Sequence, residues 1–171
     1  MAATYIPITT TTLTSSQASV TLGSGGTLPQ TYTDLVLIMN GQAGATDNPV
    51  RIQFNGDTGT NYSATNLRGT GSAVSSGRTN NNTSIYPSLS TTIGTGYDWN
   101  NIVHFMDYAN TTTYKTVLSR VNNVSGGGSS GTELVAGLWR STSAITSMVI
   151  FLDATTFSSG TTFTLYGIKA A

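Results

Sequence analysis

The sequence predicts an all-β fold: an antiparallel β-sandwich, best matched by a jelly roll of about 8–10 strands with an extended N-terminal arm. Three observations carry this. Short β-branched and aromatic runs recur along the chain, among them Leu35-Val-Leu-Ile-Met39, Val50-Arg-Ile-Gln-Phe54 and Met148-Val-Ile-Phe-Leu152. Gly, Asn, Asp and Pro clusters separate them at the spacing of turns. No segment carries apolar residues at a helical period. An immunoglobulin-like sandwich is the competing architecture, but its Cys–Trp–Cys core cannot exist in a chain without cysteine.

Residues 1–16 come first, as an extended polar arm in which Pro7 precedes the consecutive threonines Thr9 to Thr12. Such a stretch has little apolar surface to bury alone, so it is expected to lie on a neighbour, with Tyr5, Ile6 and Ile8 as contact residues. Residues 17–171 then form one sandwich domain. Ala18, Val20 and Leu22 alternate with Ser19 and Thr21, as a half-buried strand requires. Residues 34–40 are apolar on both faces, which suits a central strand covered on each side. Val50, Ile52 and Phe54 face one way, Arg51 and Gln53 the other.

Asn55-Gly56-Asp57-Thr58-Gly59 is the strongest turn signal and is expected to close a hairpin into a strand at 62–68. Residues 69–83 read as a long mobile loop. Further strands are expected at 84–89, 101–108, 114–121, 133–140, 144–152 and 162–169. Gly126-Gly-Gly-Ser-Ser-Gly131 reads as a flexible connector.

Composition narrows the function. Apolar residues are 37% of the chain and charged residues only 8%, against about 45–50% and about 25% in ordinary globular domains. Disorder of such a sequence would normally come with high net charge, whereas here the formal net charge is +0 and the apolar residues are clustered. The surface is therefore expected to carry hydroxyls and amides in place of charge. Seven scattered basic residues give no electrostatic footprint for nucleic acid. Near-zero charge also removes the repulsion between copies and favours self-association. No apolar run reaches the length of a membrane span, and the opening Met1-Ala-Ala-Thr-Tyr-Ile-Pro lacks the features of a secretory leader.

Few residues could carry chemistry. His104 is the only histidine, and neither a Gly-x-Ser-x-Gly elbow nor a phosphate-binding Gly-Lys-Ser/Thr loop accompanies it. With no cysteine, a zinc site lacks ligands. The acids Asp34, Asp47, Asp57, Asp98, Asp107, Glu133 and Asp153 show no spacing that pairs two of them for glycoside hydrolysis. The stretch 55–61 is oxygen-rich but holds one carboxylate, and a turn explains it better than a calcium loop does. Neither catalytic residues nor a metal or cofactor is expected. One candidate recognition site remains, Tyr97, Asp98, Trp99 and Asn100, where two aromatics, an acid and an amide fall in an expected loop and suit a glycan or a protein partner. The competing reading has Trp99 capping one end of the sandwich. Trp139 is expected as a core or sheet-face residue.

Several stretches, in order, carry a family likeness. They are Thr11-Thr-Leu-Thr-Ser-Ser16, Pro29-Gln-Thr-Tyr-Thr-Asp-Leu-Val36, Phe54-Asn-Gly-Asp-Thr-Gly-Thr-Asn-Tyr-Ser63, Leu67-Arg-Gly-Thr-Gly-Ser72, Ala136-Gly-Leu-Trp-Arg-Ser-Thr-Ser-Ala-Ile-Thr146 and Phe163-Thr-Leu-Tyr-Gly-Ile-Lys169. The chain resembles a group of virion structural proteins of tailed bacteriophages, common in phages of cyanobacteria and other aquatic bacteria. The resemblance implies a part of the phage particle, made in the bacterial host cytoplasm. One role it allows is a capsid cement or decoration protein, a homotrimer in keeping with self-association. It would bind the major capsid protein or other virion proteins on the capsid exterior. The other is a tail-fibre or receptor-binding domain that recognises a host surface glycan.

Overall fold

The computed structural model describes residues 4–23, 26–45, 48–123 and 130–169, and among them eleven strands form two antiparallel sheets. In chain order they are β1 (Tyr5–Thr12), β2 (Ser19–Leu22), β3 (Asp34–Gly41), β4 (Arg51–Phe54), β5 (Tyr62–Gly69), β6 (Val74–Asn82), β7 (Trp99–Met106), β8 (Lys115–Asn123), β9 (Gly131–Trp139), β10 (Met148–Phe151) and β11 (Thr162–Ile168). The large sheet has the order β1-β11-β3-β7-β8-β9-β5-β6, and the small one β2-β10-β4. The all-β sandwich expected from the sequence is present. The chain crosses from sheet to sheet at each of its first four connections, and its last strand inserts between β1 and β3.

Alternation places the core. Leu35, Leu37 and Met39 of β3, Val103 and Phe105 of β7, and Phe163 and Leu165 of β11 point inward and are fully buried. They meet Val20 and Leu22, Ile52 and Phe54, and Met148 and Ile150 from the small sheet. Phe54 sits at the centre, with its ring 5.7 Å from Phe105, 5.3 Å from Trp139 and 6.0 Å from Tyr62. Trp139 is a core residue, as expected, and stacks on Tyr62 at 14° between planes.

Three strands cannot cover eight. Beyond β4, the inner face of β8, β9 and β5 is covered by the irregular segment 84–93. Ile85 forms a bridge to Ile52 and Ile93 forms one to Asn48, so the segment continues the layer of the small sheet without being a strand. This corrects the strand expected at 84–89. A loop packed on a sheet face must find partners for its peptide groups, since each one buried unpaired costs roughly 1–3 kcal/mol. The sheet provides side chains in place of a ladder. Glu133, at 0% exposure, accepts hydrogen bonds from the backbone N–H groups of Leu89 (3.2 Å), Ser90 (3.0 Å) and Thr91 (2.7 Å), and from Asn66 Nδ2 (2.6 Å). Asn101 Nδ2 and Ser119 Oγ both donate to the Pro87 carbonyl, and Asn123 Nδ2 donates to that of Thr92. Trp99 Nε1 donates to Thr91 O.

A second polar tie holds the corner between β4 and β5. Asn55 and Gly56 both adopt positive φ, 53° and 70°, and Asp57 N donates to Phe54 O. This is the turn that the sequence announces, but it closes no hairpin, because β4 and β5 belong to different sheets. The Asp57 carboxylate accepts from Trp139 Nε1 (2.7 Å), Asn61 Nδ2 (2.9 Å) and Gly59 N (2.8 Å). Donors thus occupy the only carboxylate of the oxygen-rich stretch, where a cation would require acceptors. Burial pushes this carboxyl up, and the bonds from Trp139, Asn61 and Gly59 outweigh it, so it titrates below its ordinary range. Asn55 Oδ1 meanwhile accepts from Thr146 N and Ser147 N, while Nδ2 donates to Ala144 O. That leaves only Met148–Phe151 as a strand from the expected 144–152.

Two further expectations change. The stretch expected as an arm at 1–16 is extended, but β1 pairs along its length with β11 of the same chain. Ile8 sits at a register irregularity between Pro7 and Thr9 and packs against the core. Its threonines suit a strand that is half exposed on both faces. Residues 74–82, within the expected mobile loop, form β6, hydrogen-bonded to β5 after a tight turn in which Thr70 N donates to Ala73 O. β6 escapes sequence recognition because nearly all its side chains are exposed, so it lacks an apolar alternation. The expected connector at 126–131 lies outside the described residues except for Ser130 and for Gly131, which opens β9.

Two outcomes follow. Glu133→Ala should strand the N–H groups of residues 89–91 and lower stability by about 3 kcal/mol or more in chemical denaturation, with faster hydrogen exchange at those amides. Because the Asp57 carboxyl is held below its unfolded value, the stability it contributes is complete above about pH 4 and is lost as pH falls through the folded value. An acid titration followed by Trp139 fluorescence should therefore lose part of its transition in Asp57→Asn, which should also be less stable at neutral pH by about 1–3 kcal/mol.

Candidate functional site

The residues expected to form a recognition site at 97–100 are split by the fold. Trp99 opens β7 with its side chain inward and is 1% exposed, so its ring face is unavailable for stacking on a ligand. It fills the end of the sandwich, as the competing reading had it. Asn100, the next residue, points to the opposite side of the sheet. Tyr97 lies against Gly94, and Asp98 accepts a hydrogen bond from Gln42 Nε2 at 3.1 Å. Gln42 Oε1 accepts in turn from Gly96 N, so these polar groups brace a loop. The expected arm contacts divide as well: Ile6 and Ile8 are half-buried, while Tyr5 is exposed and packs edge-on against Tyr166 at 6.2 Å.

Two other features stand out. The first is the outer face of the large sheet, which no described segment covers. Leu67, Leu118 and Leu134 are 52%, 49% and 49% exposed there. Register aligns this face in rows across the strands. One row runs Thr162, Asn40, Asn100, Asn122, Thr132, and the next Thr164, Ile38, Ile102, Arg120, Leu134, Leu67. A third continues through Tyr166, Val36, His104, Leu118 and Ala136. Two shallow depressions lie along these rows, of about 200 Å³ over the asparagines and about 270 Å³ between Tyr5, His104 and Leu134. Ile102 and Arg120 line both, which joins them into one trough. The outer side of β3, expected to be covered, is so at Val36, which is buried, while Ile38 and Asn40 line the trough.

His104 belongs to this face. Its Nε2 lies 2.9 Å from Asp34 Oδ2, and Asp34 Oδ1 accepts from Asp107 N at 2.7 Å. The pair resembles the base-and-orienter half of a triad, but its neighbours across the strands are Val36 and Leu118, which carry no nucleophile. Among the described residues, no three His, Asp or Glu side chains converge as metal ligands.

The second feature is the contrast between the two edges of the large sheet. β1 carries Pro7 and a register irregularity, both devices that discourage another strand from pairing. β6 carries neither. From Val74 to Thr79 it pairs with β5 without interruption, it contains no proline or lysine, and Arg78 is its one charged residue. Val74 at its start is 77% exposed. Nothing in the sequence marks this edge, because a strand without buried residues gives no periodic signal.

No protein-family model, curated protein or solved structure matches the chain.

Trp99→Ala should cost about 3–5 kcal/mol in chemical denaturation, the range for emptying a buried tryptophan site, and should broaden the unfolding transition of residues 84–93 rather than change a surface property.

Proposed function

We propose that the chain is a structural protein of a phage particle, a capsid decoration protein that holds the outer head surface through non-covalent contacts. The observation that carries this reading is the unguarded edge at β6. The regular stretch Val74–Thr79, paired on one side with β5 and on the other with no described strand, accepts an extended segment of a neighbouring virion protein by strand addition. Main-chain hydrogen bonds then provide adhesion that is indifferent to side-chain identity. Repetition over a lattice multiplies modest contacts into a large stabilisation. The hydroxyl- and amide-rich surface, with a formal net charge of +0, allows copies to crowd without repulsion. The likeness to tailed-phage virion proteins supports the same reading.

The direction of strand exchange differs from the one the sequence suggests. The N-terminal strand is already taken by β11, so this protein offers an edge and its neighbour provides the strand. Deleting residues 2–14 would therefore remove an integral strand of the large sheet rather than a detachable arm.

Placing charge on the open edge tests the proposal. Ser75→Lys with Ser76→Lys alters two exposed side chains and should leave the melting temperature within a few degrees of the parent. Copies per capsid, counted by quantitative mass spectrometry of purified particles, should fall at least tenfold. Undiminished occupancy with unchanged heat resistance of the particle would rule out β6 as the attachment edge.

A further inference from the structure

We infer that the trough on the outer face of the large sheet binds a linear, carboxylate-bearing polysaccharide, with Asn40, Asn100 and Asn122 as its reading row. The inference stands apart from the mode of attachment to a capsid, which uses the sheet edge.

Three carboxamides stand side by side on the adjacent strands β3, β7 and β8. None of these side chains, nor the Arg120 guanidinium, has a hydrogen-bond partner among the described residues. Each carboxamide offers two N–H donors and an acceptor oxygen, the combination that vicinal hydroxyls require, since a hydroxyl gives and takes at once. Register spaces the carboxamides by the distance between strands, ~4.8 Å, about the length of one pyranose ring in an extended chain. Successive amides therefore fall opposite successive sugars when the polysaccharide runs across the strands.

The second row completes the match. Ile38 and Ile102 lie two residues along the same strands and present aliphatic surface beside the amides. A pyranose has hydroxyl edges and C–H faces, and this face sets a polar strip beside an apolar one at the same pitch. Arg120 continues the apolar row and lines both halves of the trough. Its unpaired charge selects a uronate over a neutral sugar. Tyr5 closes the far end with an exposed ring, the kind of face on which a sugar ring stacks. A protein partner suits the trough less well, because sealing it would strip water from three amides and a guanidinium and would require a partner group for each one. A sugar chain leaves water at the rim.

The test titrates the full-length, isotopically labelled protein with a tetramer of galacturonate and, separately, with cellotetraose as the neutral comparison. The uronate should shift the side-chain amide resonances of Asn40, Asn100 and Asn122 in a saturable way, and added salt should weaken its binding. Asn100→Ala should reduce the affinity about tenfold or more, with an unchanged melting temperature. Arg120→Gln should abolish the preference for uronate over cellotetraose. Asp98→Asn, at the end of the sandwich, should bind as the parent does. Saturable shifts with neither oligosaccharide, undiminished binding in Asn100→Ala, or shifts confined to residues 97–100 would overturn the inference. Because Asn100→Ala leaves the β6 edge intact, full capsid occupancy by that variant separates failure here from failure of the decoration reading.

Discussion

An eight-stranded sheet facing a three-stranded one leaves half of its inner surface without a regular layer to cover it, and most of this architecture answers that shortage. The segment 84–93 fills the vacancy because Glu133, Asn101, Ser119 and Asn123 project from the sheet to meet its peptide groups, while Asn66 braces the Glu133 carboxylate. These residues sit at inward positions where alternation alone calls for aliphatic side chains. The core is thus divided, with an apolar half beneath the small sheet and a polar half beneath the loop. Lys115 is a smaller instance of the same solution. It is buried at the end of β8, where desolvation lowers its pKa and Asp107 partly offsets this, and its Nζ donates to the carbonyls of Thr113 and Thr142. Buried charge here organises irregular backbone.

This division explains what the sequence could and could not disclose. The strands that became β2, β4, β7, β8, β9 and β11 announce themselves because one face of each meets apolar partners, so the period of two is written in residue type, and β3 does so by an unbroken apolar run. The polar half carries no such record. Glu133 at an inward position reads as a surface acid until the loop that it binds is placed above it. Residues 84–89 read as a strand, yet Ile85 makes a single bridge, to Ile52, and Ile93 beyond them another, to Asn48.

The edges were illegible for a related reason. β1 and β6 bury little, so the first reads as an arm and the second as a loop. Trp99 illustrates the opposite error. An aromatic within a Gly-rich stretch suggests an exposed platform, but Tyr97 and Asp98 belong to the loop while Trp99 begins a strand, and one residue of phase decides between solvent and core. The asparagine row could have been foreseen only with the register in hand, since Asn40, Asn100 and Asn122 are far apart in the chain and unremarkable in so asparagine-rich a composition.

The pairing of β1 with β11, and of β2 with β10, has a bearing on how the protein comes into being. As the polypeptide leaves the ribosome, β1 and β2 have no mate until β10 and β11 have been synthesised, and the large sheet cannot close until β11 slips between β1 and β3. Assembly is consequently late and governed by distant contacts, the regime in which folding is slow and premature association is a hazard. A strand that is half threonine, as β1 is, can wait in water through that interval without adhering to other nascent chains.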